Sequence, residues 1–206
     1  MGVMESHSRK LGRPRSFDRD EALKQAMFAF WRHGYETTSI GHLTKVMGVT
    51  APSLYAAFGD KKRLFLEAMH RYAGTSEDFA ATLRESSTAY EAVHQMLMSS
   101  ADLFTNGSTP RGCLLASATA SGSVEAMDVQ KAVAQVRRQM MSRVRLRIEQ
   151  DIAAGLLPAD TNAKSLASLA IALVQGLSVL ARDGGRREDL RAIVTVAMDA
   201  WPSQSA

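Results

Sequence analysis

The chain has 206 residues, 46% of them apolar, and a formal net charge of +4, enough to bury one mid-sized domain or a small domain joined to a larger one. Residues 1–75 carry twelve Lys and Arg against seven Asp and Glu, and residues 76–206 carry thirteen against fourteen, so a basic head suited to a polyanion sits on a near-neutral body. A single cysteine, Cys113, excludes an intramolecular disulfide and a multi-cysteine zinc site, and the lack of a long apolar run or signal segment reads as a soluble, cytoplasmic chain without a membrane partner.

Residues 1–16 are polar, basic and free of periodicity, so a flexible arm is expected there. Asp18 is a good N-cap with Glu21 three residues later, and Leu23, Ala26, Met27, Phe30 and Trp31 repeat at helical spacing until Gly34. Thr38 is expected to cap a second, short helix with Ile40, Leu43, Val46 and Met47 on one face and Gly48 at its end. Thr50 then caps a third short helix, with Pro52 in the first turn, where a missing N–H is harmless, and Leu54 and Phe58 facing inward. Asp60 caps a fourth helix whose buried stripe is Leu64, Phe65, Ala68, Met69 and Tyr72.

The rest of the chain keeps its apolar residues at threes and fours, which gives an all-α fold of about nine helices. Val129, Val133, Val136, Met140, Val144, Ile148 and Ile152 mark one long helix, ended by Gly155 and Pro158. A second stripe runs through Leu166, Leu169, Leu173, Leu177 and Leu180, and a third through Leu190, Ile193, Ala197 and Trp201. The Gly, Ser, Thr and Pro content of residues 106–122 calls for a loop with one short helix.

Two short capped helices on either side of Gly48 are the elements of a helix-turn-helix. Such a motif sets the N-terminus of its second helix against base edges in the major groove of duplex DNA, which assigns Thr50, Ala51, Pro52 and Ser53 to the bases and Tyr55 and Lys61 to phosphates.

Over residues 17 to about 72 the chain resembles the TetR family of bacterial regulators. The resemblance rests on Phe30, Gly34-Tyr35, Thr37-Thr38-Ser39, Gly48-Val49, Ser53-Leu54-Tyr55, Phe58-Gly59 and Lys61 followed by Leu64-Phe65. It implies phosphate contacts for Thr38, Tyr55 and Lys61, and base contacts for Thr50 to Ser53. The chain departs from the family pattern at Thr44 and at Ala56-Ala57, and the second departure leaves few hydrogen-bonding side chains on the third helix. Gly12-Arg13-Pro14-Arg15 resembles an arm that in some members lays arginine in the minor groove, here Arg13 and Arg15; a solvated basic tail is the equal alternative.

The same resemblance divides the chain into an arm (1–16), a helix-turn-helix domain (17–62), a connecting helix (63–75) and a ligand-binding and dimerisation domain (76–202). It implies a homodimer on a palindromic operator and a repressor released by a small-molecule effector. Candidate pocket residues are Met96, Leu103, Phe104, Cys113, Met127 and Met140, whose soft side chains also suit a core. Cys113 reads chiefly as a buried core residue, with a redox-sensing thiol as the alternative. Candidate interface residues are Leu166, Leu169, Leu173, Leu177, Leu190, Ile193, Ala197 and Trp201. The five histidines lie scattered, so no metal and no cofactor is expected. A ligand-independent architectural DNA-binding protein is the alternative reading. A helical enzyme is a remote one, since the sequence holds no GxSxG, HExxH, P-loop or GxGxxG motif.

Overall fold

The computed structural model describes residues 17–118 and 126–202, apart from the side chains of 75–80. Among the described residues are nine helices and no strand: α1 Arg19–His33, α2 Ile40–Met47, α3 Ala51–Phe58, α4 Lys61–Glu85, α5 Ala89–Phe104, α6 Leu114–Ser117, α7 Met127–Ala153, α8 Ala163–Arg182 and α9 Arg187–Asp199. The all-α class read from the sequence holds. The arm, the C-terminal tail and part of the loop after α6 lie outside the described residues.

Local chemistry sets the helix ends. The Asp18 carboxylate accepts from the N–H groups of Asp20 and Glu21 at 2.9 and 3.1 Å, satisfying donors that the first turn leaves open. Glu21 closes no capping box; it turns outward to Gln25 at 2.7 Å and to Lys24. Asp60 caps α4 through the N–H of Arg63 at 2.7 Å. From there α4 runs unbroken for 25 residues, past position 75, where the connecting segment was expected to end.

α1, α2, α3 and the first turns of α4 enclose a ring cluster. Phe30 meets Phe65 edge-on at 5.2 Å, Tyr35 meets Phe65 edge-on at 5.2 Å, and Phe30 stacks against Tyr35 at 6.1 Å, arrangements that add to the burial of the rings themselves. Leu43, Leu54 and Leu64 fill the space around them.

In the body, α8 packs between α5 and α7, α9 lies on α5, and α4 lies on α7 and α5, its first turn tied to α7 by Lys62 and Asp128 at 2.8 Å. A buried ion pair of Arg147 and Asp151 on α7 clasps the α4–α5 turn. Asp151 accepts from the Ala89 N–H at 2.6 Å, and Arg147 donates to the carbonyls of Ser86 and Ser87 at 3.2 and 2.9 Å. By length and composition α8 is apolar enough to cross a membrane, yet 33% of its apolar stretch is buried in the subunit. Small residues, Ala163, Ala167, Ala170 and Ala181, let its inner face approach its neighbours closely.

A candidate nucleic-acid interface and the cavity behind it

Ser39, not Thr38, caps α2: its hydroxyl accepts from the His42 N–H at 3.1 Å. Thr38 is 1% exposed, and its hydroxyl donates back to the Gly34 carbonyl at 2.6 Å. The phosphate contact expected for the Thr38 side chain is therefore corrected, because its hydroxyl is buried and already spent on the backbone. Gly48 ends α2 in the left-handed conformation, at φ 66° and ψ 29°, which costs a residue with a Cβ about 1–2 kcal/mol. The chain then reverses into α3.

Thr50 caps α3, accepting from the Ser53 N–H at 3.4 Å and exchanging a hydrogen bond with the Ser53 hydroxyl at 2.9 Å. Leu54 and Phe58 anchor the inner face. Thr50, Pro52 and Tyr55 are exposed, Tyr55 by 48%, with Ala51 and Ser53 half-buried beside them. No acidic side chain stands in the first turn of α2 or of α3, whereas α1 has Asp20 and Glu21 there. The positive ends of the two helices are left for an external anion.

Lys61, at the start of α4, donates to the Glu36 carbonyl at 3.2 Å and lies 4.6 Å over the Tyr35 ring, which fixes it beside the α1–α2 turn. Next to that turn, the rings of His33 and His42 meet edge-on at 5.2 Å. Burial, then the neighbouring His42 and Arg32, hold the His33 imidazole below its ordinary value. Arg13 and Arg15 lie outside the described residues.

Behind this head, between α4, α5, α7 and α8, lies an apolar cavity of about 220 Å³. Met96, Leu103, Phe104, Cys113 and Met140 stand on its wall together with Tyr72 and Val136. Met127 does not; it opens α7 with 45% of its surface exposed, so its placement in the pocket is corrected. Val129 and Val133 form the buried side of the first turns of α7, and Met127 stands off that stripe.

A second junction ties head to body besides α4, and sequence reasoning missed it. The Trp31 indole N–H donates to the Gly112 carbonyl at 2.9 Å, while the Trp31 carbonyl receives Arg182 at 2.6 Å and the Ser117 hydroxyl at 3.0 Å. The Cys113 N–H donates to the Ser178 hydroxyl at 2.8 Å, and Arg111 donates to the Ala181 carbonyl at 2.7 Å. Gly112 sits at φ 78°, and a Cβ there would lie 2.8 Å from the Ser178 carbonyl oxygen and from Arg182. The Trp31 ring also meets Tyr72 edge-on at 4.9 Å, and the Tyr72 hydroxyl donates to Cys113 Sγ at 3.4 Å. The junction thus reaches from α1 to the cavity wall.

On α8 and α9, Leu177 and Leu190 are fully buried inside the subunit. Their assignment to an interface is corrected, since neither side chain can reach a second copy. Leu166, Leu173, Ile193, Ala197 and Trp201 are half-buried, and Leu169 is exposed. Val179, Leu180 and Val196, outside the expected set, join Leu169 on the outer surface, Val196 with 71% exposure.

Comparison with known proteins follows the same division. Residues 22–68 match the family described as bacterial regulatory proteins, tetR family, and residues 89–197 match the family described as tetracyclin repressor-like, C-terminal domain. The chain is 32% identical, over 93% of its length and 92% of the relative's, to the HTH-type transcriptional repressor ComR of Escherichia coli strain K12. It is 41% identical to the TetR family transcriptional regulator CifR, solved as a cysteine variant with 26-bp double-strand operator DNA, with a TM-score of 0.88 over 92% of this chain and 100% of that one. It is also 38% identical to a TetR transcriptional regulator from Rhodococcus sp. RHA1, with a TM-score of 0.62 over 88% of this chain and 98% of the other.

Proposed function

The chain belongs to the TetR family of DNA-binding transcriptional regulators, and we propose that it works as a cytoplasmic homodimer that grips a palindromic operator with two α3 helices and lets go when an effector enters the cavity. The observation that carries this reading is the junction of Trp31, Gly112, Ser117 and Arg182, which links the back of the DNA-facing head to the wall of an apolar cavity.

Thr50, Ala51, Pro52 and Ser53 are the base-facing set and Tyr55 the exposed phosphate ligand, with Lys61 beside them. Ala56 and Ala57 add no donors, so readout rests on few hydrogen bonds and on the apolar contacts of Ala51 and Pro52 with thymine methyls. Leu169, Val179, Leu180 and Val196 form the face that a second copy covers. A two-fold axis through that face sets the two α3 helices one helical turn of DNA apart, about 34–36 Å.

An effector that binds better to a body in which α4 has tilted draws the population toward the state whose head spacing misses the operator. The clasp of Arg147 and Asp151 fixes the far end of α4, so the head end swings. Repression released by ligand is the direction in keeping with the repressors this chain resembles.

Selection from a random pool of duplexes with the purified protein tests the reading. An enriched inverted repeat with half-site centres one turn apart is the expected result. Enrichment of no sequence, or of one unrepeated motif bound by monomers, contradicts it.

A further inference from the structure

The last turn of α8 faces two ways. On its outer side Val179 and Leu180 are exposed, part of the face assigned above to a second copy. On its inner side Ser178, Ala181 and Arg182 meet the loop before α6 and the end of α1. The Ser178 hydroxyl accepts from the Cys113 N–H at 2.8 Å, and the Ala181 carbonyl accepts from Arg111 at 2.7 Å. The Arg182 guanidinium reaches the Trp31 carbonyl at 2.6 Å and also bonds the Ser117 hydroxyl.

That carbonyl has a particular place in the head. The last turn of a helix leaves its carbonyls without partners along the helix, and they carry the negative end of its dipole. In α1 the Phe30 carbonyl accepts from the Gly34 N–H at 2.8 Å and the His33 carbonyl from the Thr37 hydroxyl, both of them local. The Trp31 carbonyl is filled from the body instead, by a cation 151 positions away and by the Ser117 hydroxyl at 3.0 Å. A head hung on α4 alone can pivot about that helix, and a charge-assisted tie to the end of α1 removes the freedom. Of the other ties, the Trp31 indole bond ends on the loop at Gly112, and the ion pair of Lys62 and Asp128 is exposed at both ends, which leaves it weak. Arg182 joins α8 itself to the head.

We propose that Arg182 is a positioning residue for operator binding: by holding the Trp31 carbonyl it fixes the angle of each head to the dimer face, and so sets the half-site spacing that the pair of heads accepts. This rests on the reading of the chain as a homodimer on an inverted repeat. Each base pair inserted between half-sites moves the second by about 3.4 Å and turns it by about 35°. A fixed head therefore tolerates few spacings, and a loosened one tolerates several. Arg182 bonds α1 and α6 and not α3, so the half-site sequence is read as before.

Fluorescence anisotropy with the full chain tests this on duplexes that carry the selected inverted repeat at its own spacing, and with about one or two base pairs added or removed between half-sites. Wild type is expected to bind its own spacing about tenfold or more tightly than the altered ones. Arg182→Met keeps the stem beside Gly112 and removes every donor; it is expected to bind all the spacings within about threefold of one another. Arg182→Gln, whose shorter side chain withdraws the donor from the Trp31 carbonyl, is expected to give the same flattened profile and serves if Arg182→Met does not fold. A loss of affinity equal at every spacing is what a merely structural role gives, and it overturns the proposal. An unchanged preference does so too, as does failure of both variants to fold. A wild type that selects an inverted repeat but ignores its spacing refutes the role of Arg182 and leaves the dimer reading standing. One that enriches no inverted repeat takes the dimer reading down with it.

Discussion

The head and the body of this molecule are filled in opposite ways. In the head, Phe65 meets the stacked rings of Phe30 and Tyr35 edge-on among fully buried leucines. The body keeps a cavity of about 220 Å³ and an uncovered apolar face on α8 and α9. The apolar wall of the cavity lacks the packing partners that a filled core would give it, which costs stability. On the proposed function, a bound ligand offsets that cost and a second copy covers the apolar face. The difference teaches where motion resides: interlocked rings move as a rigid unit, and a body with free volume can repack around a guest.

The contrast is sharpest in a pair of truncations. Phe65→Ala, at a fully buried ring, is expected to lower head stability by about 3–5 kcal/mol, while Met140→Ala, at a half-buried position on the cavity wall, costs less, about 1–2 kcal/mol. Chemical denaturation of the two variants checks this, and equal losses would break the comparison. Next in size is a pair of glycines. Gly112→Ala places a methyl against the Ser178 carbonyl oxygen and Arg182, and combines backbone strain with overpacking for about 2–4 kcal/mol. Gly48→Ala meets no atom within 4 Å and carries only the conformational term, about 1 kcal/mol. The same denaturation experiment separates them; a costlier Gly48→Ala would place the tightest packing in the turn and not at the head–body junction.

The smallest effect is a pH dependence confined to the head. Burial and His42 depress the folded-state value of His33, so the unfolded chain takes up a proton first as pH falls. The stability this group contributes is complete above its ordinary value, near 6.5, and is lost as pH drops through the depressed one. Melting wild type and His33→Gln between pH 7.5 and 5 checks the sign: the wild type should lose more stability than the variant. An opposite slope would assign the acid response to other groups.

Legibility followed the reach of each interaction. Asp18, Gly48, Thr50 and Pro52 act on residues within a turn of themselves, so the head could be read from single caps. The slip at Thr38 has the same local scale, since two neighbouring hydroxyls competed for one cap and the Gly34 carbonyl took the first. The junction was illegible because Arg182 meets Trp31 across 151 positions, and the Arg merely reads as a basic residue in the last turn of α8. Met96, Phe104 and Met140 announced an apolar face, but whether such a face borders a void depends on what stands opposite. Leu177 and Leu190 show the same limit, because a stripe says that a side chain is buried and not by which copy.

Operator binding tests the central claim most directly. Fluorescence anisotropy of the selected duplex and a scrambled one, at about 50 and 200 mM salt, compares wild type with Tyr55→Ala, whose side chain is exposed on α3 and supports no core. The account predicts that wild type prefers the selected duplex at both salts and that Tyr55→Ala loses about tenfold or more in affinity while melting as wild type does. Equal affinity for both duplexes, with Tyr55→Ala indistinguishable from wild type, would contradict it.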